Sequence, residues 1–187
     1  MISGSIKLII ISLIKITLLG DGGVGKTTFV QHHINVDFTT KYVATRGAEV
    51  KQMTLETNYG RVALNVWDCA GQEKYGGTAK GNLEKSDGCI VMFDVTSRTS
   101  FKNIEKWMEE YKKRNPDSPI IVCGNKVEEK SRRVSPGEIL KKLRETEYPY
   151  YDISTKACYN IDEPILKLCG RMMGHEDVEL TNAPRKN

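Results

Sequence analysis

A chain of 187 residues, 39% hydrophobic and 28% charged, is long enough to bury a substantial core, and its balance excludes a disordered or fibrous class. Its formal net charge of +4 falls short of the clustered basic stripe of a dedicated nucleic-acid binder, so direct nucleic-acid binding is not expected. Five scattered cysteines, Cys69, Cys89, Cys123, Cys158 and Cys169, form no CxxC pair and have no metal-ligand spacing to His32, His33 or His175, which argues against a disulfide framework or zinc site and for reduced, buried thiols.

The chain opens on "IKLIIISLIKITLLG", apolar but interrupted by Lys7 and Lys15, so its uninterrupted run is far short of the ~20 residues that span a bilayer. It has no small-residue cleavage site, and a cut near residue 19 would remove a strand needed downstream. We expect residues 1–14 to be an apolar N-terminal extension of uncertain role, running into a first strand at Lys15–Leu19.

"GDGGVGKT" at 20–27 follows that strand, and a helix is expected from Lys26 to His33. "VKQMTLETNYGRVALNVWD" reads as a hairpin turning at Asn58 to Gly60, with Val62, Leu64 and Val66 alternating against Arg61, Ala63 and Asn65. "GCIVMFDV" and "PIIVCGNK" are near-continuous apolar runs, as expected of central strands buried on both faces. Between them Phe101, Ile104, Trp107, Met108 and Tyr111 recur at helical spacing over Ser100 to Arg114, with Ser100 as the expected N-cap and Trp107 as a core contact. A helix from Pro136 to about Thr146, a short strand "YYDIS" and a last helix from about Ile161 to Met173 follow. This alternation predicts a mostly parallel sheet covered on both faces, with ligands at the carboxyl ends of its strands. Residues 15–175 read as one domain and 176–187 as a short polar tail, expected to be loose after Gly174.

GxxxxGK[ST] between a strand and a helix is a phosphate-binding arrangement, and average residue usage produces it by accident in roughly 1% of chains this long. The backbone N–H groups of Asp21, Gly22, Gly23, Val24 and Gly25 can converge on phosphate oxygens. Lys26 neutralises the β- and γ-phosphates, the Thr27 hydroxyl faces Mg²⁺, and Thr28 follows it into the helix. Such loops serve kinases, ATPases and GTPases alike. "WDCAGQ" narrows the class: Asp68 at a strand end can hold a water on Mg²⁺, Gly71 offers an N–H to a γ-phosphate, and Gln72 can orient an attacking water.

"GNKVE" at 124–128 and "STK" at 154–156 both follow strands on the same edge. With these motifs in order and spacing, residues 15–175 resemble the small GTPases of the Ras superfamily. "KYVATRGAEV", "NVWDCAGQEKYGG", "MFDVTSR" and "CGNKV" are most similar to the Ran family of nucleocytoplasmic transport. The resemblance implies a P-loop NTPase three-layer α/β fold, with a six-stranded, mostly parallel sheet, one antiparallel edge strand and about five helices. It assigns Asn125 to the purine, Lys126 to packing over base and phosphate loop, Glu128 to the guanine N–H groups, and Ser154, Thr155 and Lys156 to the guanine carbonyl. Phe38 would stack near the base, Lys41 and Tyr42 would line the nucleotide, and Thr45 would close on Mg²⁺ and the γ-phosphate. The implied metal set is Thr27, Thr45 and, through water, Asp68; the implied catalytic set is Gln72, Lys26 and Thr45. The switches would be about residues 37–50 and 68–83. Implied ligands are GTP, GDP and Mg²⁺, with slow hydrolysis awaiting an activating protein. Implied partners are that protein, an exchange factor and transport receptors of importin and exportin type, for a monomer in nucleus and cytoplasm. A binding module with negligible turnover and a Rab-like vesicle-traffic GTPase are the alternatives.

Several positions depart from the family pattern. Glu128 stands where the family has Asp, and its added methylene predicts weaker or less exclusive guanine binding. Thr155 replaces the usual Ala, a change expected to be mild because the recognising group there is a backbone N–H. "GGTAKGNL" lacks the Arg-Asp pair and tyrosines of the second switch, and Arg46 replaces an apolar residue in the first, where it is expected to be a solvated side chain. The end "NAPRKN" is short and basic where Ran carries a long segment ending in acidic residues, and no CaaX cysteine is present, so no lipid anchor is expected. "KKLR" at 141–144 keeps a basic patch, equally readable as a solvated helix face.

Overall fold

The computed structural model describes residues 10–34, 48–69 and 83–181. The elements in order are β1 (Ile10–Leu19), α1 (Lys26–His33), β2 (Ala48–Thr57), β3 (Gly60–Cys69), β4 (Gly88–Asp94), α2 (Arg98–Lys112), β5 (Ile120–Asn125), α3 (Pro136–Leu143), β6 (Tyr150–Asp152) and α4 (Asp162–Met173). The six strands form one sheet in the order β2-β3-β1-β4-β5-β6. Among these six strands only β2 and β3 pair antiparallel, which is the single antiparallel edge that the sequence predicts. Four helices lie among the described residues, where about five were expected.

Burial follows the apolar pattern. β4 and β5 are buried at every position, because a parallel strand covered by helices on both faces has no solvent side. On β3, Val62, Leu64 and Val66 are buried while Arg61, Ala63 and Asn65 are only half-buried, the period of two of an edge-side strand. The hairpin turns at Asn58 and Tyr59, and Thr57 closes it by accepting from the Tyr59 amide at 3.2 Å and donating to the Gly60 carbonyl at 2.8 Å.

The helices divide between the two faces. Phe29 and Val30 of α1 and Ile165 and Leu168 of α4 pack with Ile16, Leu18, Val62, Leu64, Ile90 and Met92. Ile104, Met108 and Tyr111 of α2 and Ile139 and Leu143 of α3 pack with Leu19, Val91, Phe93 and Val122 on the other face. Each fully buried aliphatic or aromatic side chain contributes roughly 1.5–3 kcal/mol, so the sheet acts as a rigid floor whose carboxyl edge presents the loops.

Some elements differ from expectation. β1 begins at Ile10 instead of Lys15, its front pairing with Arg61 and Val62 before an irregularity between Ile11 and Ile14. The apolar run therefore continues the sheet along β3. The N-cap of α2 is Ser97, not Ser100: the Ser97 side chain accepts from the Ser100 amide at 3.3 Å, and the helix starts at Arg98. Ser100 already lies inside the first turn, buried, with its hydroxyl donating to the Ser97 carbonyl at 3.0 Å and accepting from the Asp94 amide at 3.1 Å. α3 opens with a capping box between Ser135 and Glu138 and ends at Leu143, short of Thr146. Thr146 instead caps the last turn, its amide and hydroxyl both donating to the Leu143 carbonyl.

The segment after Gly174 is pinned up to Thr181, not loose. The Asn58 amide donates to the Glu179 carbonyl at 3.0 Å, the Thr181 amide donates to the Glu56 carbonyl at 2.9 Å, and the Tyr59 hydroxyl donates to Asp177 at 2.5 Å. Val178 is buried and His175 stacks on Tyr59 at 4.1 Å. Its polar composition hides this order because the segment is held by backbone pairing to the hairpin, which composition does not report.

All five thiols are free; Cys69, Cys89, Cys123 and Cys169 are buried and Cys158 is half-exposed. Burial pushes the Cys69 thiol up to about 11 and that of Cys169 to about 12, and raises those of Cys89 and Cys123 further. Among the described residues no helix is long and apolar enough to cross a membrane.

Candidate functional site

The glycine-rich loop leaves β1 beside β4 and enters α1, and two of its glycines are required by close approach. At Gly20 (φ 137°) a Cβ would lie 2.1 Å from the Met92 carbonyl oxygen, and at Gly25 (φ 104°) it would lie 2.2 Å from Asn125 Nδ2. Both backbones adopt a left-handed conformation that side-chain-bearing residues rarely take. Gly22 and Gly23 are exposed and Val24 is buried.

Lys26 is buried at the start of α1, with Nζ donating to the Gly20 carbonyl at 2.7 Å and the Asp21 carbonyl at 3.0 Å. Burial lowers its pKa, and the carboxylate of Asp68 opposes that shift. An ammonium held in a loop of backbone dipoles is a preorganised cation for phosphate oxygens.

Asp68 lies fully buried near the end of β3, and Thr27 Oγ1 donates to its Oδ2. Its Oδ1 is buried with no hydrogen-bond partner among the described residues. Burial raises its pKa, which the Thr27 hydroxyl and Lys26 moderate. A buried carboxylate with one orphaned oxygen beside a hydroxyl is a set of hard oxygen donors that fits Mg²⁺, directly or through water.

Asp21 behaves differently from a simple phosphate ligand. Its carboxylate accepts from Asn103 Nδ2 at 2.7 Å and from Trp107 Nε1 at 2.9 Å, both on α2. Its side chain is committed to that helix, so backbone groups are what it offers a ligand. Trp107 is accordingly more than the core contact expected of it: half-buried, it packs against the α2 side of the core while its indole N–H holds the loop.

The second half of the site sits at the ends of β5 and β6. Asn125, fully buried, donates from Nδ2 to the Val24 carbonyl at 2.8 Å and to Thr155 Oγ1 at 3.1 Å, and its Oδ1 accepts from the Thr155 amide at 3.0 Å. Lys126 takes a positive φ of 69° and pairs with Asp94 Oδ2 at 2.7 Å. Glu128 Oε2 is buried without a partner among the described residues. Ser154 is buried and its hydroxyl accepts from the Ala157 amide at 2.8 Å, closing the loop. Lys156 lies outside on an exposed pair with Glu129 at 3.3 Å.

The structure thus brings Val24, Gly25, Asn125 and Thr155 into one cluster and sets Lys26, Thr27 and Asp68 in another along the same loop. Phe38, Lys41, Tyr42, Thr45, Arg46, Gly71 and Gln72 lie outside the described residues. Asn103 and Asp94 carry parts of the site that motif reading passed over. Asp94 could have been found as the polar end of a buried strand next to the loop, whereas nothing in the α2 sequence singles out Asn103.

A family model described as the Ras family matches residues 15–173. The chain belongs to the Ras family. Ras-family GTPases bind GTP and GDP with Mg²⁺ and hydrolyse GTP, acting as switches served by exchange factors and activating proteins. For this Ras-family chain, the preorganised Lys26, the Thr27–Asp68 oxygens and the paired loops after β5 and β6 are the parts available to that chemistry.

Proposed function

We propose that this Ras-family chain is a Ran-like, Mg²⁺-dependent GTP/GDP switch, slow to hydrolyse GTP alone, that serves nucleocytoplasmic transport of protein or RNA through importin- and exportin-type receptors in nucleus and cytoplasm. The observation that carries the nucleotide reading is the Asn125 carboxamide, which ties the phosphate loop at Val24 to the base loop at Thr155. One ligand spanning both loops, a purine nucleoside phosphate, explains why they are locked together. The transport reading is supported by the stretches "KYVATRGAEV", "NVWDCAGQEKYGG" and "CGNKV".

In this reading residues 15–175 form the switch domain. Lys26 neutralises charge on the β- and γ-phosphate oxygens as the γ-phosphoryl group leaves. Gln72 orients the attacking water, and a partner supplies an arginine. Thr27, Thr45 and, through water, Asp68 would hold Mg²⁺, which would supply positive charge against the charge developing on the transferring group. Thr45 and Gly71 are drawn in by the γ-phosphate and released after hydrolysis, with Phe38, Lys41 and Tyr42 flanking the nucleotide in the first switch.

Calorimetric titration with GTP, GDP, XTP and ATP, each with Mg²⁺, tests the nucleotide reading: guanosine nucleotides bind most tightly, and failure of both up to millimolar concentration overturns it. Capture of importin- and exportin-type receptors by the GTP-loaded but not the GDP-loaded chain tests the transport reading, and equal capture in both states overturns it. A binding module with negligible turnover is the second reading, favoured by Glu128 in place of Asp; single-turnover hydrolysis with and without an activating protein separates the two.

A further inference from the structure

The hydrogen-bonding capacity of the buried Asn125 carboxamide can be counted. A primary amide has two N–H donors and one oxygen acceptor with two lone pairs. Its orientation is fixed from both ends, because Nδ2 faces the Val24 carbonyl at 2.8 Å while Oδ1 faces the Thr155 amide at 3.0 Å. Turning the group over would set oxygen against oxygen and N–H against N–H. The second Nδ2 proton goes to Thr155 Oγ1 at 3.1 Å. Gly25 packs so closely that even a Cβ there would lie 2.2 Å from Nδ2, so the amide has little room to swing away.

Guanine presents two acceptors, N7 and O6, along one edge. A carboxamide reads that edge only with a spare N–H. Both N–H groups of Asn125 are used within the protein, one by the phosphate loop and one by a hydroxyl that an alanine at 155 would not supply.

We propose that Thr155 is a specificity-determining residue: by accepting the second amide proton of Asn125, its hydroxyl turns Asn125 into a brace between the phosphate and base loops and leaves purine N7 unread. The inference rests on the reading of these loops as a guanine-nucleotide site. Selectivity then falls to Glu128, whose Oε2 is buried without a partner among the described residues and, as a carboxylate oxygen, can only accept, so that it reads the donors of a base and not its acceptors.

The test is equilibrium competition between GDP and 7-deaza-GDP, which lacks only the N7 acceptor, on the full chain with Mg²⁺. The native chain is expected to bind the two within about twofold. Thr155→Ala frees the proton and prefers GDP by about five- to tenfold, the equivalent of one neutral hydrogen bond. Thr155→Val does the same while keeping the side-chain volume, so a cavity is not the cause. A native preference for GDP above about threefold overturns the proposal, as does continued indifference in both variants. Binding of neither nucleotide by the native chain is a different result, and it overturns the nucleotide reading itself.

Discussion

The indole Nε1 of Trp107 donates to Asp21 Oδ1 at 2.9 Å, joining α2 to the phosphate loop across 86 positions of sequence. Asn103, one turn earlier, holds the other carboxylate oxygen at 2.7 Å. The loop is therefore anchored from the α2 side by hydrogen bonds to a carboxylate, stronger than neutral ones. Asp21→Ala leaves both donors without their acceptor and is expected to cost about 1.5–3 kcal/mol and to weaken GDP binding several-fold. Trp107→Phe, which keeps most of the ring packing, costs about half as much. Urea denaturation and GDP titration of the two variants check the order.

Glu128→Asp is expected to tighten GDP binding about tenfold, by drawing the carboxylate back to where both oxygens can accept from the base. In the native chain Oε2 is buried without a partner among the described residues, and a buried carboxylate oxygen is costly unless something fills that role. Titration calorimetry on the two chains decides it, and equal affinity would remove Glu128 from base recognition.

Asp94 gives a pH signature. Burial opposes its ionisation, but the Lys126 ammonium and the Thr96 hydroxyl and amide outweigh burial and hold the carboxyl below its usual range. A carboxyl depressed in the folded state adds stability above its unfolded value, near 3.8, and loses it as pH falls through the folded value. Asp94→Asn is thus expected to be less stable at pH 7 by about 1–2 kcal/mol. The deficit shrinks as pH falls from the unfolded value through the lower folded one, which thermal denaturation at several pH values will follow.

Gln72→Leu is expected to leave GTP binding unchanged and to abolish hydrolysis stimulated by an activating protein, because a leucine cannot orient water. Undiminished stimulated turnover in single-turnover assays would take Gln72 out of the mechanism.

The sheet was legible because its signals are local. Gly88 to Asp94 and Ile120 to Asn125 are apolar without a break, and Val62, Leu64 and Val66 alternate. The phosphate loop was legible for the same reason, since its glycines, Lys26 and Thr27 are contiguous. What escaped depends on pairs distant in sequence: Asp21 with Asn103 and Trp107, Asn125 with Val24 and Thr155, and Asn58 with Glu179. The misplaced cap of α2 is a subtler case. "TSRTS" at 96–100 carries hydroxyls at Thr96, Ser97, Thr99 and Ser100, and burial of Ser100 against Asp94 at the end of β4, a tertiary fact, leaves Ser97 as the cap.

The distribution of thiols has a practical consequence. Cys69, Cys89, Cys123 and Cys169 are buried and hold their protons well above neutral pH, whereas Cys158 is half-exposed two positions beyond Lys156. Alkylating reagents need both access and thiolate, so a maleimide fluorophore will go to Cys158. The unmodified chain thus supplies its own attachment point for an optical reporter beside the Ser154–Lys156 loop, and ligand titrations at that loop can be followed without engineering a single residue.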